Sequence, residues 1–135
     1  MTELQKPEFL GDEEDFNEEE LAYFKARLVT ERDAVKVKLS SKVQQMANDE
    51  RPADELDQAG KMADQAFLLR LADKERKKLE QIERALRKLA DGEYGYCEGT
   101  DEIIRRKRLD SRPWTRYSIE HKEELERAKK QGRNP

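Results

Sequence analysis

Apolar residues recur along this chain at helical spacing, in two long blocks. Leu21, Phe24 and Leu28 fall three and four positions apart, and Val35, Leu39, Val43 and Met46 carry a less regular stripe to about Asp49. Asn17 ahead of Glu18-Glu19-Glu20 predicts the start: an Asn N-cap, Glu20 at the capping-box position, and acidic charge in the first turn. The stripe stops at Asn48-Asp49-Glu50-Arg51-Pro52, because the residue before a proline is pushed out of helical geometry. A second block, from about Ala59 to Ala90, puts Phe67, Leu71, Leu79, Ile82, Leu86 and Leu89 on one face and ends at Asp91-Gly92. Two helices of about 30 residues, each about 45 Å long, with narrow seams and a short connection predict an antiparallel coiled-coil hairpin over residues 17–92. Its tip falls near residues 50–60.

The flanks carry no such period. Residues 1–16 hold Pro7, Gly11 and the run Asp12-Glu13-Glu14-Asp15, which reads as a flexible acidic N-terminus. Residues 93–131 predict a small globular domain with a final helix from about Ser118 to Lys130. Tyr94, Tyr96, Ile103, Ile104, Leu109, Trp114, Ile119 and Leu125 are its expected packing residues. The expected fold class is therefore mainly α, with a long hairpin and a small appended domain.

Composition sharpens this picture. Over 135 residues, 44% are charged and 35% hydrophobic, too little apolar material for a large core but suited to solvent-bathed helices of Leu, Ala, Glu, Lys, Gln and Arg. The 31 acidic and 28 basic residues nearly balance at a net charge of -3, which argues against direct DNA binding. The run Arg105-Arg106-Lys107-Arg108 is accordingly expected to be a solvated or partner-facing patch. No apolar stretch reaches the roughly 20 residues of a membrane span, the first residues lack a signal-peptide pattern, and a single cysteine makes no internal disulfide. The expectation is a cytoplasmic protein without a membrane partner.

One stretch carries chemistry. Tyr94-Gly95-Tyr96-Cys97-Glu98-Gly99-Thr100 and Ser118-Ile119-Glu120-His121 have the frame of a four-ligand zinc finger, with Cys97, Thr100, Ser118 and His121 at the ligand positions. Neutral hydroxyls are poor zinc ligands beside thiolate or imidazole, so no zinc is expected and the finger is degenerate. Hydrogen bonds among Thr100, Ser118 and His121, with Cys97 as filler, are the expected replacement for a metal crosslink.

The hairpin, its acidic turn, the Gly95-Tyr96-Cys97 start of the finger frame and Arg108-Leu109-Asp110-Ser111-Arg112-Pro113 together resemble the DksA/TraR family of bacterial transcription factors. The resemblance covers roughly residues 17–130 and includes Asp54-Glu55-Leu56-Asp57-Gln58-Ala59 and Asp73-Lys74-Glu75-Arg76-Lys77. It implies a monomeric, non-enzymatic regulator that binds RNA polymerase through the secondary channel and places the hairpin tip near the active centre. On that resemblance Asp54, Asp57 and Ala59 are the acting tip positions, Lys74 and Arg76 contact the polymerase rim, and Arg112 and Lys122 help hold the alarmone ppGpp. It also implies zinc-independent members with substituted ligands. Gln81 stands where the family has a third basic residue near ppGpp, with Lys77 and Lys78 one turn away. From spacing alone, Asp54 and Asp57 read as helix-capping acids, and it is the resemblance that makes them acting residues. A Gre-like transcript-cleavage role, a metal- or redox-responsive sensor using Cys97 and His121, and a plain helical scaffold are the rival readings.

Overall fold

A computed structural model describes residues 5–48 and 55–132 of the chain. Four helices run in order: α1 (Glu18–Ala47), α2 (Glu55–Asp91), α3 (Arg106–Ser111) and α4 (Ile119–Gly132). Among the described residues the only extended pairing is an isolated antiparallel bridge between Tyr96 and Ile103. The fold is mainly α, built on a coiled-coil pair of long helices. The chain divides into two units, one of Met1–Val29 with Gln81–Pro135 and one of Thr30–Glu80.

In the smaller unit α1 and α2 run antiparallel, with Glu31 on α1 paired to Lys78 on α2 at 3.3 Å. Val35 and Ala72 are its buried apolar residues. The less exposed α2 positions include Gln65, Leu68, Ala72, Glu75 and Leu79, a spacing of threes and fours that marks the seam. Phe67, expected on that seam, is 55% exposed and Val43 is 49% exposed. The seam is therefore narrower and more polar than the apolar count suggested, because small Ala72 rather than aromatic Phe67 lies against α1. Two buried polar atoms here, Arg32 Nε and Glu75 Oε2, have no hydrogen-bond partner among the described residues. Helix α2 begins at Glu55, four positions before the expected start, and takes in Gly60. Gly60 is open on its Cβ side and its φ is not positive, so nothing there breaks the helix.

In the larger unit Phe24 and Leu28 of α1, Ile82 and Ala85 of α2, Tyr94, Cys97, Ile104 and Leu109 form the core. Ile119 and Leu125, expected to pack here, are 46% and 43% exposed. Helix α4 has no buried residue. Aromatic rings supply what α4 does not: Phe24 packs on Phe9, Tyr23 and Tyr94 at centroid distances of 5.7, 5.4 and 5.7 Å. Phe16 meets Phe24, Tyr94 and Tyr96 at 6.4, 6.4 and 6.1 Å. Such pairs add about 0.5 to 1.5 kcal/mol each beyond area burial.

Phe9 and Phe16 lie in the segment read from sequence as a flexible lead-in. Residues 5–16 contain no helix, but they are tied down. Arg106 is 2% exposed and Glu20 is 0% exposed, and the two meet at 2.9 Å. Glu20 caps α1 reciprocally: its amide donates to Asn17 Oδ1 at 2.8 Å and its Oε1 accepts from the Asn17 amide at 3.0 Å. Its Oε2 accepts from the Leu10 amide at 3.1 Å. Arg106 donates through Nη1 to the Gly11 carbonyl at 2.8 Å and through Nη2 to the Asp15 carbonyl at 3.2 Å. Its guanidinium lies 4.3 Å from the centre of the Phe16 ring. Asp110 repeats the arrangement nearby, accepting from Tyr23 at 2.7 Å, pairing with Lys6 at 2.8 Å and with Arg27 at 3.0 Å. Arg106, one of four consecutive basic residues read as a solvated patch, is thus an interior group.

Gly95 and Gly60 make opposite predictions. Gly95 has φ +96 and a Cβ there would collide with the Phe16 ring, so Gly95→Ala is expected to lower stability by about 1 to 3 kcal/mol. Gly60→Ala, in open helix, is expected to raise it by about 0.5 to 1 kcal/mol. Urea unfolding followed by circular dichroism reads both signs.

Candidate functional site

The finger frame folds as a tight turn followed by a capped helix. Gly95 and Ile104, then Cys97 and Glu102, close the turn through Ile104 N to Gly95 O at 2.8 Å and Cys97 N to Glu102 O at 2.7 Å. Asp101 takes φ 59 at its apex. Ser118 precedes α4 and its hydroxyl accepts from the His121 amide at 3.2 Å, as an N-cap does. The same hydroxyl donates to Cys97 Sγ at 3.7 Å in a buried contact. Ser118 therefore serves a helix cap and a thiol together.

Thr100 Oγ1 accepts from the Glu102 amide at 3.3 Å. The amide of His121 bonds Ser118, but its ring stays outside the expected network. Its ring Nδ1 is buried without a hydrogen bond, its Nε2 side lies against Gly99, and its ring meets Tyr117 tilted by 53° at a centroid distance of 5.2 Å. Burial pushes the Cys97 thiol up, but hydrogen bonds from Thr100, Ser118 and the Gly99 amide outweigh it and bring the thiol down to about 7. Cys97 is nonetheless fully covered, which shields the sulfur from oxidants.

This donor set does not fit a structural zinc ion. Two of the four positions are hydroxyls already engaged in hydrogen bonds, leaving one thiol and one imidazole for a tetrahedral metal. Among the described residues no group of three or more His, Cys, Asp or Glu side chains is arranged to hold a metal.

Between Cys97 and Gly99 stands a residue the sequence reading passed over. Glu98 pairs with Lys88 at 2.5 Å, with Arg84 at 2.7 Å and with Arg116 at 2.7 Å. Its amide donates to the Arg116 carbonyl at 2.9 Å. It thereby fastens the finger turn to α2 and to the loop before α4. Burial opposes its charge, yet the three cations hold its carboxyl down at about 2. Its position between two frame residues was the available signal.

Arg112, Lys122 and Gln81, widely separated in sequence, line one open cleft of about 280 Å³ with Arg108, Arg116 and Trp114. Arg108 donates to the Tyr117 carbonyl at 2.9 Å. Burial and then the neighbouring Arg112 charge push the Arg108 guanidinium below its usual value, a sign of like charges held together. Such a cluster suits a phosphate-bearing anion. Trp114, expected in the core, is half-buried, and with half-buried Tyr117 it forms part of this wall.

Of the remaining predicted residues, Asp57, Ala59, Lys74 and Arg76 lie in the smaller unit. Asp57 and Ala59 are exposed in the first turns of α2, where an acid also suits the helix dipole. Asp54 lies outside the described residues. Lys74 and Arg76 are exposed on α2 but stand two positions apart, so they point to different sides of the helix. Arg76 and Lys77 share Asp73 at 3.7 and 3.6 Å. Among the described residues no helix is long and apolar enough to cross a membrane.

Glu98 generates a pH prediction. Its folded carboxyl lies below the ordinary 4.5, so its contribution is complete above about pH 5 and is lost as the pH falls through 4.5 towards 2. Between pH 6 and pH 2 wild type is expected to lose about 2 to 3 kcal/mol more than Glu98→Gln does. Urea unfolding of both proteins at stepped pH measures the difference, and parallel curves would contradict it.

Comparison with known proteins agrees with this architecture. The family model described as DnaK suppressor protein DksA, N-terminal domain, matches residues 20–89, most of α1 and α2. The RNA polymerase-binding transcription factor DksA of Caulobacter vibrioides (strain NA1000 / CB15N) is 38% identical over 117 residues, 86% of this chain and 82% of that protein. The protein of the same name from Escherichia coli (strain K12) is 32% identical over 120 residues, 88% of this chain and 80% of that protein. The solved structure of transcription factor DksA2 from Pseudomonas aeruginosa superposes with a TM-score of 0.76 at 33% identity, covering 84% of this chain and 88% of that one. The chain belongs to the DksA family.

Proposed function

We propose that this protein regulates transcription by binding RNA polymerase, and that it works by occupancy and electrostatics rather than by turnover of a substrate. The observation that carries this reading is the family match itself, which spans most of the two long helices. Relatives covering most of their length are named RNA polymerase-binding transcription factors. A surface rich in charge of both signs, with a net charge of -3, suits a protein partner better than duplex DNA.

The α1–α2 turn is the acting end in this reading, entering the secondary channel. Asp57 and Asp54 bring carboxylates there, and Ala59 leaves the adjoining surface without a bulky side chain. Carboxylates near the active centre disturb the metal ions and basic groups that hold nucleic acid. Lys74 and Arg76, on different sides of α2, meet the channel rim separately. The basic cleft is an effector site for ppGpp, with Arg112 and Lys122 as its phosphate contacts and Arg108 beside them. The finger turn folds without zinc, since Ser118 holds Cys97 by a hydrogen bond, Thr100 accepts from the Glu102 amide within the turn, and Glu98 supplies the crosslink to α2. A Cys97 sensor is the weaker reading because the thiol is wholly covered.

In vitro transcription from a ribosomal RNA promoter tests the mechanism, paired with a binding assay on core polymerase. Wild type is expected to change promoter output, and Asp54→Asn and Asp57→Asn are each expected to cut that effect at least fivefold while polymerase affinity stays within about twofold. Lack of binding by wild type would overturn the assignment, and full activity in both variants would overturn the role of the acids.

A further inference from the structure

Arg116 is built differently from the other cations of the cleft. It sits in the loop between α3 and α4, with Nε donating to Glu98 Oε2 at 2.7 Å. Its guanidinium carbon lies 5.1 Å from the centre of the Tyr117 ring. One edge and one face of the group are thus fixed, which removes much of the rotamer freedom that an exposed arginine loses on binding. The terminal nitrogens Nη1 and Nη2 have no hydrogen-bond partner among the described residues.

Neutralising Glu98 does not require Arg116. Lys88 at 2.5 Å and Arg84 at 2.7 Å already face that carboxylate, so three cations meet one anion. The surplus positive charge lies on a residue that also lines the cleft with Arg108, Arg112 and Lys122, where Glu126 is the only acid among the described lining residues and Gln81 is neutral. A fork-shaped donor with two terminal nitrogens free matches a phosphate group.

We propose that Arg116 is a further phosphate-binding residue of this cleft, supplying the positive contact that Gln81 does not, and that Glu98 is the positioning residue that aims it. The ligand class is a nucleotide bearing several phosphates. This rests on the reading of the cleft as an effector site.

The test is binding of labelled guanosine tetraphosphate to polymerase with the protein, less binding to polymerase alone. Wild type, Arg112→Gln, Arg116→Gln, Arg116→Lys and Glu98→Gln are compared. Arg116→Gln is expected to weaken the added binding about tenfold or more, as loss of one charge-assisted contact does. Arg116→Lys, which keeps the charge and loses the fork, is expected to recover part of it. Glu98→Gln is expected to weaken it less than Arg116→Gln, and the double variant to be no weaker than Arg116→Gln alone. Polymerase affinity without the nucleotide should stay unchanged in all of these.

Wild-type affinity in both Arg116 variants, with Arg112→Gln weakened, would overturn the role of Arg116 and leave the cleft reading intact. No binding added by wild type would overturn the cleft reading itself and this inference with it. Loss of polymerase affinity without nucleotide in both Arg116 variants would overturn the inference in favour of a structural or polymerase contact.

Discussion

The buried contact between Arg106 and Glu20 is the constraint on which the larger unit depends. A guanidinium and a carboxylate removed from water cost several kcal/mol each unless their hydrogen-bonding capacity is met. Here it is met almost completely. Glu20 accepts from Arg106, Leu10 and Asn17, and Arg106 donates to Glu20, Gly11 and Asp15. The partners come from α1, from α3 and from the segment before α1, so one ion pair fixes three pieces of chain that bury little apolar surface together. Burial opposes the Glu20 charge, but the bonds from Arg106, Asn17 and Leu10 keep the carboxyl below its ordinary range.

This arrangement explains how the finger frame holds its shape with half its ligand set absent. The metal crosslink of a zinc finger joins a turn to a helix start. Here Ser118 caps α4 and touches Cys97, while Glu98 binds α2 and the α4 loop through Lys88, Arg84 and Arg116. The cost is a surplus of positive charge around Glu98, and that surplus faces the cleft of Arg108, Arg112 and Lys122. On the proposed reading Arg116 links crosslinking to anion recognition, serving Glu98 through Nε and keeping its two terminal nitrogens for a ligand.

Much of this was legible in the residues. The capping box at Asn17 and Glu20, the two long helices and the cap at Ser118 follow from local rules that need no partner. Arg112, Lys122 and Gln81 were grouped by resemblance, and in the structure they line one cleft. The misses have one physical source. Whether a charged residue is solvated or interior depends on a partner distant in sequence, and Arg106 finds its partner 86 positions away. The helical spacing of Arg106 and Leu109, both buried on α3, was the one local hint. Phe67, Ile119 and Leu125 erred in the opposite sense. Apolar residues at helical spacing were assigned to a core, but a thin helical pair and a lone terminal helix offer too little opposing surface to cover them.

A double-mutant cycle between Glu20 and Arg106 tests the central claim most directly. Unfolding free energies are measured for wild type, Glu20→Gln, Arg106→Gln and the double variant. The account predicts that each single change costs about 3 to 5 kcal/mol by stranding the other charge, and that the double variant costs little more than either one. Additive losses would mean that the two residues stabilise the protein independently and that the ion pair is not what holds these segments together.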